Sequence, residues 1–177
     1  MMDVQYLENE DIYKSVILNG IFGAKESVWI ATANVKDLQI EEGRKYISIL
    51  KLFRDLCGRG VELRILHSGI PSEAYLRDFK KYELRKEENF VMRRCLRVHF
   101  KCVLIDGNKL FIGSPNLTGA GLGAKGKNRR NFEIGILTDS DELIKNVRSL
   151  FLRIWDGEVC SKCGRRRICY VPLEEPA

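Results

Sequence analysis

The sequence predicts an α/β protein, a mixed β-sheet flanked by helices, with a short cysteine-rich C-terminal appendage. Three observations carry that reading. Two β-branched, apolar runs, 27–35 and 61–67, are separated by a helical stretch, the order of a parallel β-α-β unit with a right-handed crossover. Two further apolar runs flank Asp106-Gly107-Asn108, which is hairpin-turn chemistry and adds antiparallel strands. Leu143, Val147, Leu150, Phe151 and Ile154 then recur at helical spacing and mark an amphipathic helix that closes the domain near Trp155.

Taken in order, residues 11–23 form the first helix, with Ile12, Val16 and Ile17 on one face. SVWIATANV (27–35) is a strand. YISILKLFRDL (46–56) is a second helix, stopped by Gly58 and Gly60, and VELRILH (61–67) is the next strand. Pro71 to Glu88 is polar and reads as a helix. LRVHFKCVLID (96–106) is a long strand, and KLFIGS (109–114) returns beside it. A glycine-rich basic loop spans 119–130, and FEIGIL (132–137) is a strand. Gly157 opens a different composition, CSKCGRRRIC, so the chain divides into a domain over 1–156 and a cysteine-rich basic tail over 157–177.

With 177 residues, 45% hydrophobic and 31% charged, the chain can bury a real core and is not largely disordered. No run approaches the ~18 apolar residues of a membrane span. The start, MMDVQYLENEDIYK, is polar and net acidic and does not read as a secretory signal, so a cytoplasmic protein is expected. Thirty Lys plus Arg stand against 24 Asp plus Glu, a formal charge of +6. The excess is clustered at 80–86, 93–97, 125–130 and 162–167, which suits a polyanion such as nucleic acid or an acidic lipid surface. Solvated loops with no partner are the bland alternative.

The hairpin carries His99-x-Lys101, then Asp106, then Gly113-Ser114-x-Asn116. On a strand, residues two apart share a face, so His99 and Lys101 project together while Phe100 and Cys102 face away. The returning strand brings Ser114 and Asn116 back to the same end. An imidazole, an ammonium, a hydroxyl and a carboxamide in one place suit a phosphate. Lys101 and Asn116 would bind its oxygens and a neutral imidazole would attack phosphorus.

This spacing resembles the signature of the phospholipase D superfamily at His99, Lys101, Asp106, Gly113, Ser114 and Asn116, and the similarity runs over about residues 10–156. Its small single-motif endonucleases are the nearest in kind. The resemblance implies a two-step, metal-independent hydrolysis of a phosphodiester through a phosphohistidine, in which a second motif histidine protonates the leaving oxygen. One motif per chain then implies a homodimer with a composite site. Lys101 and Asn116 of both subunits would hold the phosphate with Ser114 in support, and Asp106 would anchor the turn. By the same resemblance Glu133 would hydrogen-bond the catalytic imidazole and fix its tautomer, against the alternative of a solvent-facing strand residue. Lys125, Lys127, Arg129 and Arg130, on the loop leaving the site, are candidates to track a nucleic-acid backbone.

Of six cysteines, Cys102 and Cys57 read as core. Cys160-x2-Cys163 has the spacing of a metal knuckle, and Cys169 follows. A structural zinc needs a fourth ligand, for which Cys95 or a partner subunit would serve. A disulfide or free thiols are the other readings. The functional expectation is a nuclease with no catalytic cofactor. A phospholipase acting on headgroups and a non-catalytic nucleic-acid-binding module are the alternatives.

Overall fold

The computed structural model describes residues 4–123, 127–170 and 173. Its strands in chain order are β1 (Val4–Glu8), β2 (Ser27–Thr32), β3 (Gln39–Glu42), β4 (Lys45–Ser48), β5 (Glu62–His67), β6 (Phe90–Arg94), β7 (Cys102–Ile105), β8 (Lys109–Gly113) and β9 (Ile134–Thr138). Seven of them form one sheet in the order β1-β9-β8-β7-β2-β5-β6. The β2, β5 and β6 strands run parallel, and the remaining neighbours are antiparallel. The sheet is therefore mixed, as the sequence predicts.

The helices are α1 (Asn9–Ile12), which continues as a π-helical turn over Tyr13–Leu18, α2 (Ile49–Gly58), α3 (Glu73–Lys81) and α4 (Asp141–Trp155). They cover both faces because alternate strand residues point to opposite sides. On β2, Val28 and Ile30 pack with Ile12, Val16 and Ile17 of the first helical segment, Phe53 of α2 and Tyr75 of α3. Trp29 and Ala31 pack on the other side with Phe151 and Trp155 of α4. There Trp29, Phe151 and Trp155 stack in series, with ring centroids 5.3 and 5.5 Å apart. Cys160 and Leu173 of the tail are buried in this second cluster.

Several boundaries differ from expectation, each for a local reason. Tyr46 and Ile47 belong to β4, which forms a small hairpin with β3 around Gly43 at φ +62°, so the second helix starts only at Ile49. Ser48 caps it by accepting from the Leu50 N–H at 3.3 Å. The expected first helix breaks into an α-turn, a π-turn, where the Asn19 N–H bonds the Lys14 carbonyl at 2.9 Å, and a 3₁₀ turn at Ile21–Gly23. The outermost strands β1 and β6 have no counterpart in the sequence reading. Only Leu7 of β1 and Phe90 of β6 are buried, so neither shows clean alternation. The long strand 96–106 is regular only over Cys102–Ile105, and 132–137 only from Ile134.

Candidate active site

The candidate site is built where the central strands end. Cys102, the first residue of β7, pairs with Ala31 near the end of β2, so residues 99–101 run past that end. The chain turns at 106–108 and returns along β8, where the Gly113 N–H donates to the Lys101 carbonyl at 3.2 Å. This return places Ser114 and Asn116 at the end that carries His99 and Lys101. Val98, Phe100 and Cys102 all pack into the second cluster, so alternation leaves His99 and Lys101 to the other side although neither lies in regular strand. His99 is exposed and Lys101 half-buried. Among the described residues, neither side chain has a hydrogen-bond or ion-pair partner.

Asn116 is held with one end committed. Its Oδ1 accepts from the backbone N–H groups of Ala33 and Asn34, each at 3.1 Å, and from the Thr32 hydroxyl at 3.3 Å. That hydroxyl also accepts from the Leu117 N–H at 3.0 Å, which fixes the segment to the end of β2. With Oδ1 taken, the side chain has only N–H donors left for an incoming group.

Ser114 and Glu133 form the other fixed pair. The Ser114 hydroxyl donates to the Glu133 carboxylate and accepts from the Ile134 N–H at 3.1 Å. Glu133 is buried, its second carboxylate oxygen accepts from Asn131 Nδ2 at 3.1 Å, and its backbone bonds Asn9 in both directions at 2.9 and 3.1 Å. Within one chain, then, Glu133 does not orient His99 as the resemblance implies. It stands at the start of β9, beside the end of β8, where Ser114 is within reach and takes the contact.

The motif glycine has a steric reason. Gly113 faces Gly135 across β8 and β9, and a Cβ at 113 would lie 2.6 Å from the Ile134 carbonyl oxygen and 2.7 Å from the Phe111 ring. Any side chain there would push apart the strands that carry Ser114 and Glu133.

Asp106 is not part of the site. It sits in the turn at the opposite end of the hairpin, about six residues along the neighbouring β2, or roughly 20 Å, from Asn116. Its Oδ1 accepts from the N–H groups of Lys25, Glu26 and Ser27 at 3.1, 2.8 and 3.0 Å. Burial opposes its ionisation, but these donors together outweigh burial and hold the carboxyl below its ordinary range. Although Asp106 belongs to the motif that supplies the candidate catalytic residues, its contacts are those of an anchor for the start of β2. His67, the second histidine, is buried at the end of β5 with Nδ1 2.9 Å from the Gly69 carbonyl. Burial, and then the nearby Arg94 charge, lower its pKa.

Of the basic loop, Lys125 lies outside the described residues, as does the side chain of Lys127. Arg129 is exposed, whereas Arg130 turns back onto the first helical segment, 3.9 Å from Glu10 and over the Tyr13 ring. Cations from two other basic clusters, 93–97 and 162–167, lie nearer the motif. A groove of about 640 Å³ beside His99 is lined by Ser68, Arg97, Lys162 and Arg165. A second polar groove of about 520 Å³ beside Asn116 is lined by Asn34, Lys36 and Asn131. The one signal for Asn34 was a polar residue closing an apolar strand, and the run 162–167 gave no hint of its place in space.

Among the described residues no three metal-ligating side chains are drawn into a closed centre, and no helix is long and apolar enough to cross a membrane. A family model described as cardiolipin synthase, phospholipase D-like domain, matches residues 17–155. The chain belongs to the phospholipase D-like family. Among solved structures, NucT from Helicobacter pylori shares the fold with a TM-score of 0.64 at 20% identity, over 86% of this chain and 95% of that one. Nuc from Salmonella typhimurium, a phospholipase D family member, gives 0.63 at 18% identity over 88% and 95%. The phosphatidylserine synthase of Haemophilus influenzae gives 0.60 at 16% identity, over 87% of this chain and 39% of that one. No curated protein matches the sequence significantly. The family match over residues 17–155 includes the whole His99–Asn116 hairpin.

Proposed function

We propose that the protein is a metal-independent phosphodiesterase acting on nucleic acid, with a site completed by a twofold partner. The observation that carries this reading is the donor set at the open end of the hairpin: His99 and Lys101 without partners among the described residues, and Asn116 with its carbonyl oxygen already engaged. The motif carboxylate Asp106 is committed to the far turn and Glu133 to Ser114 and Asn131, which leaves an anion-binding cluster rather than a cation-binding one.

In the first step an imidazole nitrogen of His99 attacks phosphorus. A P–N bond forms as the P–O bond to the leaving group breaks, and an imidazolium gives that oxygen its proton. In the second step the now neutral imidazole deprotonates water, which attacks phosphorus and breaks the P–N bond, freeing His99. Two imidazoles are needed and the chain has two histidines, of which His67 is buried and bonded to Gly69. The partner subunit's His99 is therefore the second. Phe132 is 97% exposed next to Glu133, and Tyr6 and Ile134 are exposed on the adjoining strands, an apolar surface beside the site that a second copy would cover.

Nucleic acid is favoured by the cations beside His99, namely Arg97, Lys162 and Arg165. A phospholipid headgroup is the second reading, favoured by the lipid enzyme in the family description and by the same exposed Phe132. Purified protein assayed with chelator on single- and double-stranded DNA, RNA and phosphatidylcholine vesicles separates them. Nucleic-acid cleavage that persists in chelator is expected. Cleavage of lipid alone selects the second reading, and complete loss restored by magnesium overturns the mechanism.

A further inference from the structure

The six cysteines divide sharply by environment. Cys57 and Cys102 are buried in the two cores, where burial pushes their thiols up to about 11 and about 12. The other four, Cys95, Cys160, Cys163 and Cys169, line one cavity of about 240 Å³ between the tail and the segment that leads into His99. All four are free thiols, and Cys95 senses each of the other three. They come from sequence positions as far apart as 95 and 169, so their meeting is a product of the fold.

The backbone around two of them is arranged in the same way. The N–H of Arg97 donates to the Cys95 sulfur, and the N–H of Arg165 donates to the Cys163 sulfur, each two residues further along. The Val98 N–H closes a turn on the Cys95 carbonyl at 3.0 Å, and the Arg166 N–H closes one on the Cys163 carbonyl at 2.9 Å. The two turns thus present their cysteines to the cavity in the same way. The two turns are also cross-linked. Arg97 Nη1 lies 3.8 Å from the Cys163 sulfur, and Arg165 Nη1 donates to the Leu96 carbonyl at 2.7 Å.

We infer that Cys95, Cys160, Cys163 and Cys169 bind one zinc ion that fastens the tail to the segment carrying His99. Four thiolates around a tetrahedral Zn²⁺ make a closed structural site with a net charge of about −2, and the Arg97 and Arg165 guanidinium groups sit where they would offset it. Each thiol releases its proton on binding. As they stand, no three of the thiols converge closely enough to hold an ion, so zinc binding requires them to move inward across the cavity they line. The consequence reaches the candidate site, because Cys95 precedes His99 by four residues and the tail turn places Lys162 and Arg165 on the wall of the His99 groove.

The test uses the full-length protein purified under reducing conditions without chelator, with metal measured by elemental analysis. About one zinc per chain is expected, with cobalt substitution giving the thiolate charge-transfer band and the visible absorption of a tetrahedral site. Cys95→Ser and Cys163→Ser should each lower zinc to a small fraction of that, whereas Cys57→Ser should retain it. None of these readouts depends on phosphodiesterase activity, so they stand or fall apart from the proposed reaction. Metal-free wild-type protein with all thiols reduced, a disulfide among the four after reducing purification, or full zinc retention by Cys95→Ser would each overturn the inference. Should the variants fail to fold, the wild-type stoichiometry and the cobalt spectrum still decide it.

Discussion

The two ends of the β7–β8 hairpin are made from similar polar residues and have opposite characters. At the turn end, Asp106 faces three backbone N–H groups, and its hydrogen-bonding capacity goes into holding the start of β2. At the open end, His99 and Lys101 have no partner among the described residues, and Asn116 is pinned by its oxygen with its donors left over. A polar residue whose bonds are all internal contributes to stability. One whose bonds are unmade, yet whose position is fixed, is available for a ligand. The difference separates anchoring from chemistry within one motif.

The largest effect that sharpens this contrast is at the open end. His99→Ala should reduce turnover to background while nucleic-acid binding, which the proposed function assigns to the basic groove, is largely retained in a filter or polarisation assay. Turnover by that variant would refute the nucleophile. Asn116→Ala and Lys101→Ala should each raise the barrier by roughly 2–4 kcal/mol through lost phosphate stabilisation, read as kcat in single-turnover assays.

A smaller, arithmetical effect tests whether the open end is completed by a partner. Wild type refolded with an equal amount of His99→Ala gives mixed dimers. Activity should fall to about a quarter of an all-wild-type sample if each site needs both His99 residues, and to about half if each chain suffices. The half-level outcome would break the composite-site proposal.

The turn end should respond in stability alone. Asp106→Ala strips three N–H groups of their acceptor and should cost about 1–3 kcal/mol in denaturant unfolding, with kcat per folded molecule unchanged. A lost kcat in folded protein would return Asp106 to the chemistry. The smallest effect is on pH. Asp106 and His67 both have pKa values lowered by folding, so at each the unfolded chain binds protons first as pH falls. The His67 contribution is therefore present above its unfolded value, near 6.5, and is lost below it. The Asp106 contribution is lost only as pH falls through the carboxylate range. Unfolding midpoints from pH 8 to 3 should fall in those two windows, and His67→Gln should remove the first.

The central fold was legible because burial wrote itself into the sequence. The runs 27–35 and 61–67 carry apolar residues on both faces, and α4 keeps one apolar face with Ser140 accepting from the Leu143 N–H at 3.4 Å. The outer strands were not legible, since β1 buries Leu7 alone. The parts of the site fixed by spacing, His99, Lys101, Ser114 and Asn116, were readable from one hairpin. What holds them was not. Thr32, Ala33 and Asn34 bond Asn116 from more than eighty positions away, and Asn9 bonds Glu133 across 124. No local pattern encodes such contacts.

That last separation has a consequence for how the chain is made. Asn9 and β1 leave the ribosome before their partners, and Glu133 follows Asn9 by 124 positions, roughly 6–25 s at about 5–20 residues per second. Through that interval the parallel β2-β5-β6 unit can assemble while β1 waits as an unpaired strand, prone to join a neighbouring nascent chain. Its composition limits the hazard, with Leu7 its one buried side chain and Glu8 a charge at its end. The site is therefore among the last parts of the molecule to form during synthesis, and a chain stopped before residue 133 holds the His99–Asn116 hairpin without the clasp that sets Ser114.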